Sequence, residues 1–123
     1  MMINTLEELR QRIGKYVMLS SYADFRKGSA VMKLITKVEN KSRWLAERFP
    51  DSSPLYGCNV WGKFSACYHP FSPFVKDKNG ESYSNSYSYA RDPTEEEIKT
   101  FKQNWRKTIF RYKIHPKNEG LPI

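Results

Sequence analysis

"YSNSYSYARDPTEEEIKTF", residues 83–101, changes its periodicity halfway along. Tyr83, Tyr87 and Tyr89 stand at even separations, which in one extended strand points all three rings to the same face. That face is either core or a binding platform. At Pro93 the pattern breaks. Thr94 with Glu97 then forms the T-x-x-E signature of a capping box, and Glu95, Glu96 and Glu97 sit against the positive end of a helix dipole. Ile98, Phe101, Trp105, Ile109 and Tyr112 follow at steps of three and four, an apolar stripe that must dock on something. The nearest partner is the sheet that ends in the tyrosine strand.

Working back toward the N-terminus, "PFVKDKNGESYSNSYSYA" (73–90) reads as a hairpin around Asn79-Gly80, the dipeptide that suits a type I′ turn. "LYGCNVWGKFSACYH" (55–69) is the strongest strand signal, and Gly57 and Gly62 predict a bulge or bend that curls a sheet. Within it Asn59, Trp61 and Lys63 share one face, opposite Val60 and Phe64. "KYVMLSSY" (15–22) and "AVMKLITKV" (30–38) are two more strands, joined through a turn at Gly28. In the second, Met32, Leu34 and Val38 form an apolar side, and Lys33 and Lys37 a basic outer side. Residues 40–54 carry Trp44, Leu45 and Phe49 but no settled period and are read as a connection. A short helix opens the chain, with Asn4 or Thr5 as cap, Leu6, Leu9 and Ile13 at helical spacing, and Gly14 as its end. The stretch 113–123, with Pro116 and Pro122, reads as an extended tail.

These elements fit one domain of 123 residues, long enough to bury a core without staples. Hairpin-like connections and flanking helices predict an antiparallel α+β fold. The expected form is a small, partly open β-barrel, Src-homology-3-like or OB-like, with a short N-terminal helix and a C-terminal amphipathic helix. The N-terminal helix is charged and no apolar run is long enough for a signal peptide or a membrane span, so an intracellular, cytoplasmic protein with no membrane partner is expected.

The formal net charge is +8, and it is uneven. Residues 1–50 hold ten Lys and Arg against five acids, 51–90 three against three, and 91–123 eight against five. A basic surface with aromatics attracts anions: nucleic acid, nucleotides or an acidic protein surface. On the C-terminal helix, Lys99, Lys102, Arg106 and Lys113 fall within a sector of about 60° beside the apolar stripe. With Lys33 and Lys37 they are the candidate phosphate contacts, since each neutralised phosphate releases a counterion. Tyr83, Tyr87, Tyr89 and Trp61 are the candidate stacking groups. The competing readings are a solvated helix face and core packing of the tyrosines.

Catalytic constellations find no support. His69 and His115 each stand beside a proline and in no ligand spacing, and no nucleophile elbow, P-loop or G-x-G-x-x-G is present. Cys58 and Cys67 lack a second pair, so neither zinc nor another metal is expected, nor a cofactor; their odd separation on one strand also disfavours a disulfide.

"RIGKYVML" (12–19) together with "YARDPTEEEIKTF" (89–101) resembles small uncharacterised proteins of bacteriophages and mobile elements, in which an "IGKYV" strand opens a compact barrel and a "TPEEI" helix closes it. Here the proline precedes the threonine. The resemblance implies a type of small protein, host-cytoplasmic if phage-encoded, and carries over no catalytic residue. Three functions follow as expectations: a non-enzymatic binder of nucleic acid or of a nucleotide signal, sequestering the latter against host defence; an inhibitor or adaptor acting on a host enzyme; or a virion or assembly component that forms homo-oligomers.

Overall fold

The computed structural model describes residues 1–40, 43–49, 55–74 and 85–113. The first helix, α1 (Leu6–Arg10), starts where Thr5 caps it, its hydroxyl oxygen accepting the Glu8 N–H at 3.1 Å. Past α1 the chain turns at Gly14, whose φ of 89° suits glycine and whose N–H reaches the Ile35 carbonyl at 2.8 Å.

Among the described residues, seven strands form an antiparallel sheet: β1 (Met2–Ile3), β2 (Tyr16–Ser20), β3 (Ala30–Glu39), β4 (Asn59–Cys67), β5 (Ser72–Pro73), β6 (Asn85–Ser86) and β7 (Tyr89–Arg91). Their order is β1-β7-β2-β3-β4-β5, and β6 pairs separately with β4. The sheet and three helices make an α+β fold, as the elements predict. Among the described residues no continuous ladder closes the sheet. The segment 40–54, expected to be only a connection, contains a short helix, α2 (Arg43–Arg48).

Both faces of the central strands are buried. Val17, Leu19, Val31, Ile35 and Ala90 alternate to one side, where Ile3, Leu9 and Leu55 join them in the α1-side core. Met18, Ala30 and Met32 alternate to the other, packing with Phe64, Phe101 and Trp105 in the α3-side core. The last helix, α3 (Glu95–Tyr112), has the expected capping box at Thr94 and Glu97 and buries Phe101 and Trp105.

Two-sided burial overturns the expected basic outer side of β3 at Lys33, while Lys37 is exposed as expected. Lys33 falls between Val31 and Ile35, so its side chain enters the α1-side core and is only 2% exposed. Its Nζ lies 5.8 Å from the Tyr87 ring centroid. Gly62 makes room for the stem: a Cβ there would stand 2.5 Å from Lys33 Cδ.

Gly57 turns the chain into β4 with φ 83° and a register shift falls beside Gly62, but the residue bulged out of β4 is Phe64. Between the pairs Met32↔Ala66 and Leu34↔Lys63, β3 contributes one residue and β4 two, Phe64 and Ser65. Phe64 has φ 50°, and the kink sends its ring to the α3-side core while Val60 faces the α1 side. Val60 and Phe64 therefore do not share a face. A second register shift, between Ile35 and Lys37, likewise parts Val38 from Met32 and Leu34. The Phe64 bulge also removes the parity argument about Cys58 and Cys67, which are free thiols.

The tyrosine strand is divided too. β6 pairs with β4, while β7 pairs with β1 and β2, and the chain bends at Ser88 between them. Tyr87 consequently packs against the α1-side core and Tyr89 against the α3-side core. Tyr83, the Asn79-Gly80 turn and the tail beyond Lys113 lie outside the described residues, and the described strands flanking that turn, β5 and β6, each pair with β4.

Candidate functional site

The α3 face of the sheet extends past the helix. In register, Tyr16 on β2 stands beside Leu34 on β3 and Lys63 on β4, and the next row holds Lys37 and Trp61. Val38 and Val60 point into the α1-side core, so their neighbours Lys37 and Trp61 point the other way, to the face that α3 covers elsewhere. Tyr16 and Leu34 are half-buried there and pack against the rim of the α3-side core, Trp61 and Lys63 are half-buried beside them, and Lys37 is exposed.

α3 borders this open area. Phe101 meets the Tyr16 ring edge-on at 5.1 Å between centroids, and Lys102 Nζ lies 5.9 Å from the Tyr16 centroid. Lys99 and Arg106, one turn to either side of Lys102, are exposed on the same flank. Burial raises the Tyr16 hydroxyl pKa, so the ring stays neutral at physiological pH.

At the other end, Trp61 is held by a carboxylate. Its indole N–H donates to Glu39 Oε1 at 2.6 Å, and Lys37 Nζ lies 3.8 Å from that oxygen and 5.9 Å from the Trp61 ring centroid. Glu39 orients the indole and at the same time cancels part of the charge of Lys37.

Of the residues singled out from the sequence, the fold brings Lys102, Lys37 and Trp61 to one face, with Lys99 and Arg106 along its rim. Lys33 is withdrawn to the opposite face, and Tyr87 and Tyr89 serve two different cores. Tyr16 was not expected in the site. Its alternation with Val17 was visible, but its place beside Lys102 depends on how α3 docks.

Two other surfaces carry unsatisfied shape. On the far flank of α3, a groove of about 350 Å³ runs between the turn at Pro70 and the helix residues Asn104, Lys107 and Arg111. Asn104 Nδ2 donates to the carbonyls of Pro70 and Phe71 there, fixing the turn. Beside α2, Trp44, Phe49 and Tyr56 are exposed and meet edge-on, with centroids 6.4 and 6.0 Å apart.

Among the described residues, no group of three or more His, Cys, Asp or Glu side chains is placed to hold a metal ion, and no helix is long and apolar enough to cross a membrane. In comparisons with known proteins, no family model, curated protein or solved structure matches the chain.

Proposed function

We propose that the protein is a non-enzymatic binding protein that engages a phosphate-bearing ligand, a nucleic acid or a nucleotide, on the open sheet face beside α3. One observation carries this reading: the face presents two aromatic rings, Tyr16 and Trp61, each with a lysine Nζ within 6 Å, and a further row of cations along α3. Rings offer stacking to bases of any sequence, and lysines offer charge to phosphates without selecting one geometry. The curled sheet, with chain-adjacent β6 and β7 pairing to β4 and β2, is read as a partly open barrel whose uncovered face is the site.

The test is the salt dependence of binding to a nucleic-acid probe. Lys102→Glu combined with Arg106→Glu is expected to weaken binding several-fold and to flatten the slope of log K against log salt by roughly 0.7 to 0.9 for each phosphate that is no longer neutralised. An unchanged slope removes the α3 flank from the site.

A second reading, an adaptor or inhibitor acting on a host protein, is favoured by the Trp44, Phe49 and Tyr56 cluster, because contiguous exposed aromatics mark protein contacts. Trp44→Ala separates the two: it abolishes partner capture on this reading and leaves oligonucleotide binding intact on the first.

A further inference from the structure

The two rings of the open face are too far apart for one base. Tyr16 lies on β2 and Trp61 on β4, two strand spacings across the sheet and one row along it. At about 4.8 Å per spacing and about 6.6 Å for the two-residue step, the positions are separated by roughly 12 Å. A mononucleotide carries a single base and can stack on one ring or the other. Occupying both requires a second base on the same backbone.

The charges are arranged in the same linear way. Lys99, Lys102 and Arg106 follow the α3 edge of the face, with Lys102 at Tyr16 on β2 and Arg106 next to Trp105, which bonds to Phe64 on β4; Lys37 stands on β3 opposite Trp61, and Lys63 on the strand that carries Trp61. A site for a free nucleotide gathers its cations around one phosphate group. Here they are spaced along a path, with half-buried Leu34 as an apolar step between the rings. A duplex fits less well, because its bases are paired and stacked and present no free face to Tyr16 or Trp61. Only its phosphates could meet the α3 flank.

We infer that the ligand of this face is single-stranded nucleic acid, laid across the strands from β2 to β4 along the flank of α3, with one base on Tyr16 and another on Trp61. The inference rests on the functional reading above and narrows it to a polymeric, unpaired ligand. Stacking does not separate DNA from RNA, so both belong in the test.

The experiment is competition against fluorescein-labelled dT8, read by anisotropy at low salt, with dTMP, ATP, dT2, dT4, rU8 and a 16-base-pair duplex as competitors. The expected result is affinity that rises steeply from dTMP to dT4, with the duplex weaker than dT8. Trp61→Ala should reduce dT8 affinity about tenfold, the usual loss for one stacked base. The length series uses the unmodified protein, so it decides even if the variant fails to fold. If dTMP or ATP competes as well as dT8, the single-strand inference is overturned and the phosphate-ligand reading stands. Equal binding of the duplex with no effect of Trp61→Ala also overturns it, in favour of contacts to phosphates alone. If labelled dT8, the labelled duplex and the nucleotides all fail to bind, both readings fall.

Discussion

The indole N–H of Trp105 donates to the carbonyl of Phe64 at 2.9 Å, so the middle of α3 bonds to the bulged residue of β4. Phe64 holds φ 50°, a left-handed backbone that is costly for a bulky side chain, by on the order of 1–3 kcal/mol. The edge-on contact of the two rings, at 5.5 Å, and their complete burial offset that strain. Helix docking and strand bending are therefore coupled through this pair. Trp105→Phe keeps an aromatic in the core but leaves the Phe64 carbonyl without its donor, and is expected to cost about 2 kcal/mol. Urea unfolding checks this, with a lowered midpoint and an unchanged m-value. An unshifted midpoint would mean that the bond does not hold the bulge.

Acid should weaken the junction between β7 and α3. Arg91 grips Glu97 with two hydrogen bonds of 2.7 Å, and the Thr94 N–H adds one of 2.8 Å. Burial pushes the Glu97 pKa up, but the bonds from Arg91 and Thr94 outweigh it and hold the carboxyl below its usual value. Hydrogen bonds from Arg12 do the same for Asp92, against a smaller opposing effect of burial. For both groups the unfolded chain binds the proton more readily than the folded one. Their stabilisation is thus complete above the unfolded carboxylate pKa of about 4 and is lost as pH falls through the folded values. Glu97→Gln should cost about 2 kcal/mol at pH 7 and make stability less steep between pH 5 and 3, read from urea midpoints at each pH. A steeper acid loss in the variant would contradict this assignment.

Local rules account for what the sequence showed of the fold. The Thr94 capping box and the Phe101–Trp105 stripe lie within a few residues of each other, so α3 is legible without knowing its partner. The same holds for the Thr5 cap of α1 and for the existence of β2, β3 and β4. Where the sheet bends is not local. Gly57 does hold a positive φ just before β4, yet the bulge within the strand falls at Phe64, and Phe25 and Phe71 in the turns between strands also hold positive φ; all three phenylalanines are buried in the α3-side core. Their strain is carried by contacts with residues far along the chain. For the same reason alternation misled at Lys33, whose buried side depends on a second layer over β3, and at Tyr87 and Tyr89, which the Ser88 bend sends to opposite cores. The candidate site was half legible: Lys102, Lys37 and Trp61 were visible as charge and aromatic surface, and Tyr16 entered only through the docking of α3.

Glu39 offers the sharpest test of where a ligand sits. It is the carboxylate at the Trp61 end of the open face, and it accepts from the indole and draws Lys37 toward itself. An anionic strand crossing Trp61 must approach this charge, and repulsion between unit charges about 4 Å apart costs about 1 kcal/mol in water. Glu39→Gln keeps an oxygen to accept the indole N–H, so the ring should hold its orientation, while the negative charge disappears and Lys37 is released. The expected outcome is dT8 affinity about fivefold tighter, with a steeper salt slope because one more cation is free for phosphate. Glu47→Gln is the control: it also removes an acid that pairs with a cation, but its partner is Arg43 on α2 and not a residue of the open face, and it should change nothing. Equal gains in both variants would mean that net charge alone governs binding. Weaker binding in Glu39→Gln would mean that the carboxylate's hold on Trp61 matters more than its charge, and an unchanged affinity would place the strand elsewhere on the protein.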